Sequence, residues 1–60
     1  MFVLLTKDNE YILEYLFNEL VLTKHIEKAK EFDSRISAFS FKDQLQEELN
    51  LEVSVNTYIK

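Results

Sequence analysis

The residues able to do chemistry in this chain are few, and their spacing does not gather them. His25 is the only histidine. A general base or a metal ligand needs partners, and the nearest in sequence are Glu27 and the carboxylates further along. A lone pair at that spacing makes a weak ligand set, so His25 is expected to be a surface residue. Ser34, Ser37, Ser40 and Ser54 have no base attached to them, which leaves nucleophilic catalysis unsupported. Glu10, Glu14 and Glu19 lie around the N-terminal turns, but nothing fixes a separation suited to acid–base work. The absence of glycine removes the usual phosphate-cradling loop. The expectation is a non-enzymatic protein with no cofactor, no metal and no catalytic residue. A small enzyme or ligand-binding domain built on Tyr11, Tyr15 and His25 is the competing class.

Two other groups point to surfaces. Glu47, Glu48 and Glu52 crowd the end of a predicted helix, where negative charge opposes the helix dipole. They read either as solvated side chains or as an acidic patch for a basic partner. The aromatic content is high, with five Phe and three Tyr in sixty residues.

Composition narrows the classes further. Eleven acidic against seven basic residues give a net charge of −4, which argues against nucleic acid as a partner because phosphate binding needs a basic face. Lys24, Lys28 and Lys30 cluster, but Glu27 and Glu31 are interleaved with them. No apolar run approaches the roughly 20 residues of a membrane span, and the start MFVLLTKDNE does not read as a signal peptide. A cytoplasmic protein is expected. Sixty residues make one domain, 1–60, which buries only about 60% of its unfolded surface. With no Cys and one His, disulfide and zinc staples are not expected.

The elements follow from pattern. Asp33 and Ser34 are both good N-caps. Ala38, Phe41, Leu45 and Leu49 then recur at steps of three and four, and Asn50 can end a helix in the left-handed region. This predicts an amphipathic helix from about Arg35 to Leu49. Phe32 stands where it could staple to Ile36. Phe2 to Thr6 reads as a strand, with a tight turn at Asp8-Asn9 leading into an antiparallel partner. Tyr11 to Phe17 is ambiguous. Read as a helix from about residue 9 to 32, it would be apolar nearly all round, which a chain this short cannot bury. Strand, turn over Phe17-Asn18-Glu19, and a third strand over Leu20 to Thr23 is preferred. Ile26 and Ala29 suit a single helical turn, and Leu51 to Ile59 alternates as a half-buried strand. With neither Gly nor Pro, positive φ is expected to fall on Asn or Asp, and Asn9, Asn18 and Asn50 sit at the breaks. The predicted fold is α+β, a β-β-β-α-β antiparallel sheet with one helix on one face. A mainly α chain is the alternative.

The run Leu22-Thr23, Ile26-Glu27-Lys28-Ala29-Lys30-Glu31-Phe32-Asp33-Ser34, with Ala38, Leu45 and Leu51-Glu52-Val53, resembles small uncharacterised proteins of phages and Gram-positive bacteria. These have an N-terminal hairpin, a T-x-x-I-E-x-A-x-x-F-D-S tether, a helix and a last strand. Lys24 and His25 depart from that pattern, in which acidic residues are common. The resemblance covers about half the chain and implies the fold and an accessory role in the host-cell cytoplasm. It implies no activity.

One helix covers one sheet face, while the first two strands are apolar on both. The expected interaction surface is therefore Phe2, Leu4, Tyr11, Leu13, Tyr15 and Phe17, free to self-associate as a homo-oligomer or to bind a protein partner; the alternative is that Phe17, Phe39 and the tether fold over that face and cover it. An acidic inhibitor of a host protein, using Glu47, Glu48 and Glu52, is the sharper alternative.

Overall fold

The computed structural model describes residues 1–59 and shows the predicted α+β arrangement. In chain order come β1 (Phe2–Thr6), β2 (Tyr11–Leu16), β3 (Glu19–Thr23), a 3-10 turn (Ile26–Lys28), α1 (Arg35–Leu49) and β4 (Val53–Thr57). The strands form one antiparallel sheet in the order β3-β2-β1-β4. Strands at 11–16 and 19–23 dispose of the mainly α alternative. The long helix fails there because its apolar groups need two sheet faces, not one stripe.

The caps form as their chemistry dictates. Ser34 is the N-cap, its hydroxyl accepting from the Ser37 amide at 3.1 Å. Asn50 closes the helix at φ 53°, with its amide donating to the Gln46 carbonyl at 3.0 Å. Positive φ falls on Asn9, Asn18 and Asn50, and also on Phe17.

The first hairpin differs from the sequence reading by one residue. The Asn9 amide donates to the Thr6 carbonyl at 3.0 Å and the Thr6 amide to the Glu10 carbonyl at 2.8 Å. The turn is thus centred on Lys7-Asp8, with Asn9 left-handed behind it in a three-residue loop. Thr6 is buried, and its hydroxyl oxygen accepts from the amides of Asp8 and Glu10. That explains a polar residue at an inward-facing position.

The core lies between the sheet and α1. Leu4, Ile12, Phe32, Ala38, Leu45 and Val53 form its centre, flanked by Phe2, Tyr15, Leu20, Leu22, Phe41, Leu51 and Val55. Phe32 packs on Phe41, with ring centroids 5.3 Å apart. The expected staple to Ile36 is not formed. Ile36 is 83% exposed on the solvent side of the helix, because Phe32 is drawn into the sheet instead. Strand β4 is shorter than the predicted 51–59, and Ile59 is exposed beyond it.

How Phe32 enters the sheet determines which surfaces remain open. β1 and β2 pair at Leu5 and Tyr11 and then diverge. Into the gap comes the tether. The Lys30 amide donates to the Ile12 carbonyl at 2.9 Å, and Phe2 and Phe32 exchange both backbone bonds at 2.9 Å. The chain leaves β3 on one side of β2 and reaches Ile12 on the other, so it must cross β2. It does so over the face opposite α1. Val3 points to that face by alternation with Leu4 and is nevertheless fully buried, as is most of Ala29, and neither belongs to the helix-side core.

Candidate interaction surface

β2 and β3 form a hairpin joined by Phe17-Asn18, both at positive φ (50° and 63°). Two central residues with positive φ make the turn whose twist suits a two-residue hairpin, a place normally held by Asn, Asp or Gly. Asn18 fits. Phe17 does not, and a bulky side chain in the left-handed region costs about 1–2 kcal/mol. It obtains no packing in return, being 95% exposed.

The register sorts the rest of the hairpin. Tyr15 opposes Leu20 and Ile12 opposes Leu22, and all four side chains join the helix-side core. Glu14 opposes Val21 and Leu16 opposes Glu19, on the outer face. Ile12 and Tyr15 share a face although three residues apart, because the pairing shifts between Ile12 and Glu14. The extra residue at Leu13 is a bulge, which inverts the alternation beyond it. Strict period-two reading of Tyr11, Leu13 and Tyr15 therefore fails at Tyr15.

The expected surface is accordingly redrawn. Leu4 is completely buried beneath α1, and Phe2 and Tyr15 pack on the same side. These three are corrections, since the helix lies on the face that Phe2 and Leu4 share. Tyr11 and Leu13 are half-buried. Phe17 is open. Two residues that the sequence reading passed over join it on the outer face, Leu16 (56% exposed) and Val21 (41% exposed). Glu14 and Glu19 border them, both exposed, and no Lys or Arg occurs between Leu13 and Thr23. The signal that could have found this patch was the missing cation in an apolar hairpin.

The three carboxylates expected as an acidic patch at the helix end have different surroundings. Glu48 accepts from the Tyr15 hydroxyl at 2.7 Å, and this bond, with burial and the carboxylate's charge, raises the Tyr15 pKa above its ordinary 10.0. Glu47 is exposed. Glu52 is exposed and lines an open hollow of about 480 Å³ together with Lys7, Lys42 and Asp43. His25 stands exposed on the tether with Nδ1 3.6 Å from a Glu27 oxygen. Tyr11 and Tyr15 face opposite sides of the sheet, so they and His25 line no common pocket.

Among the described residues no group of three His, Asp or Glu side chains is placed to hold a metal ion, and no helix is long and apolar enough to cross a membrane. Comparison with protein-family models, curated proteins and solved structures finds no match for this chain.

Proposed function

We propose that the protein is a non-enzymatic interaction module that docks onto a partner protein through the tip and outer face of the β2–β3 hairpin. The observation that carries this reading is Phe17, an aromatic side chain fully presented to solvent on a backbone conformation that disfavours it. Strain retained without a packing return is a pointer to function. Exposed aromatic side chains are the usual anchors of protein interfaces. Leu16 and Val21 extend the apolar surface, and Glu14 and Glu19 give it a negative border.

The border selects the partner. Two copies meeting face to face would bring four carboxylates together, so this face suits a different protein with an apolar cleft edged by Lys or Arg. A small accessory protein that occupies such a cleft on a cellular target would act as an acidic inhibitor. Its acidic residues would then be those of the hairpin, in place of those at the end of α1.

The test is site-specific photocrosslinking in the cells that make the protein. A photoreactive phenylalanine analogue at position 17 should give one dominant adduct, and the same analogue at Ile36 should not. Glu14→Lys with Glu19→Lys should abolish that adduct. No adduct from position 17, or one indifferent to the two charge reversals, would sink the reading.

A further inference from the structure

We infer that β3 is a self-pairing edge, through which two copies join their sheets side by side, antiparallel about Val21. The sheet has two edge strands, β3 and β4, and their protection is unequal. At β4 the Lys42 ammonium donates to the Val53 carbonyl at 2.6 Å, bringing a charge to that edge. Asn56 there donates to the Ser54 hydroxyl at 3.0 Å. Charged and polar side chains of this kind are how edge strands avoid pairing. β3 reads ELVLT and carries none of these devices beyond Glu19 at its first position. The bulge that could have twisted an edge away sits in β2, the inner strand.

The open groups can be identified from the hairpin geometry. Leu16 and Glu19 close a two-residue loop, so they exchange both backbone bonds. Alternation along the regular β3 then turns the amide and carbonyl of Leu20 and Leu22 toward the free edge. No backbone bond from either residue to any element other than β2 is present among the described residues.

The sequence is close to symmetric about its centre. With Val21 on the two-fold axis, Leu20 of one copy lies opposite Leu22 of the second, and Leu22 opposite Leu20. These two pairs satisfy all the open groups at once. Their side chains lie on the helix side, where both already border the core, so pairing extends each core across the junction. Charge agrees with this register. Glu19 falls level with Thr23 of the second copy, beside its Lys24 and His25, and far from the other Glu19. Parallel pairing would stack the two Glu19 residues. The two-fold axis runs perpendicular to the sheet, so both outer faces look the same way. The self-pairing edge and the proposed docking face are therefore compatible, and neither inference depends on the other.

The experiment is sedimentation of the full chain with substitutions at the axis. The wild-type mass should rise from 7.2 kDa toward twice that value between micromolar and millimolar concentration. Val21→Lys and Val21→Glu should each stay monomeric, since each sets like charges against one another across the axis. Mixed in equal amounts, the two variants should dimerise again. Circular dichroism checks that both variants fold, as expected at a site already open to solvent. Amide exchange on the wild type supplies a readout without mutation: Leu20 and Leu22 should become protected as concentration rises. A wild type monomeric at millimolar concentration overturns the inference. So do dimerisation unaffected by either variant and a mixture that fails to dimerise.

Discussion

The Tyr15 hydroxyl donates to Glu48 Oε1 at 2.7 Å, joining β2 to the last turn of α1 across 33 residues of sequence. The Tyr15 ring stands edge-on to Phe41, with centroids 6.4 Å apart. α1 lies mainly over β1 and β4, so this contact ties the hairpin's inner face to the helix. It also engages a carboxylate placed where the helix dipole is least favourable to it.

The bond makes a pH-dependent contribution with a defined sign. The folded state holds the Tyr15 proton more tightly than the unfolded chain, whose phenol titrates near 10.0. The contribution is therefore fully present below pH 10 and is lost as pH rises through the higher folded value. Glu48→Gln removes the charge and weakens the acceptor, so it should move the Tyr15 titration back toward 10.0. Ultraviolet difference spectra of phenolate formation, with Tyr15→Phe to assign the signal, measure this. An unchanged titration in Glu48→Gln would show that the carboxylate is not the cause.

The two leucines Leu4 and Leu16 should respond very unequally to the same truncation. Leu4→Ala removes a side chain with no exposure at the centre of the core, which costs about 2–5 kcal/mol. A domain of this length has roughly 3–9 kcal/mol in total, at about 0.05–0.15 kcal/mol per residue. Leu4→Ala should therefore be largely or partly unfolded at room temperature. Leu16→Ala, on the outer face, should shift stability by no more than about 0.5 kcal/mol. Urea melts of the pair decide whether the face assignment is right.

What the sequence could reveal follows from how local each cause is. The bounds of α1 were legible because Ser34 and Asn50 act through their own side chains and φ angles. Three of the four left-handed positions, Asn9, Asn18 and Asn50, were legible for the same reason, whereas Phe17 was not, because nothing in its side chain favours that region. Two further features were not. The bulge at Leu13 has no residue signature, and it moves Tyr15 to the helix side. The passage of Lys30–Phe32 between β1 and β2 is a tertiary event. It draws Phe32 away from Ile36 and buries Val3 on a face that alternation alone leaves bare. The open face was misread at Phe2, Leu4 and Tyr15 because choosing a face requires knowing where the helix lies.

Phe17 offers the clearest separation of stability from function. Its left-handed backbone costs about 1–2 kcal/mol relative to a residue without a Cβ, and its exposed ring packs on nothing that would be lost. Glycine adopts φ near 50° freely but loses more conformational freedom on folding, by roughly 0.5–1 kcal/mol. Phe17→Gly should thus stabilise the fold by about 0.5–1 kcal/mol, which is a rise of a few degrees in Tm for a domain of this size. The same variant should lose whatever partner the hairpin holds. Thermal melts read the first effect. For the second, the photoreactive group is moved to Leu16, and its adduct is compared with and without Phe17→Gly. A fall in Tm would mean that the ring makes contacts in the folded state. A gain in Tm with undiminished adduct at Leu16 would mean that the strained turn serves something other than binding.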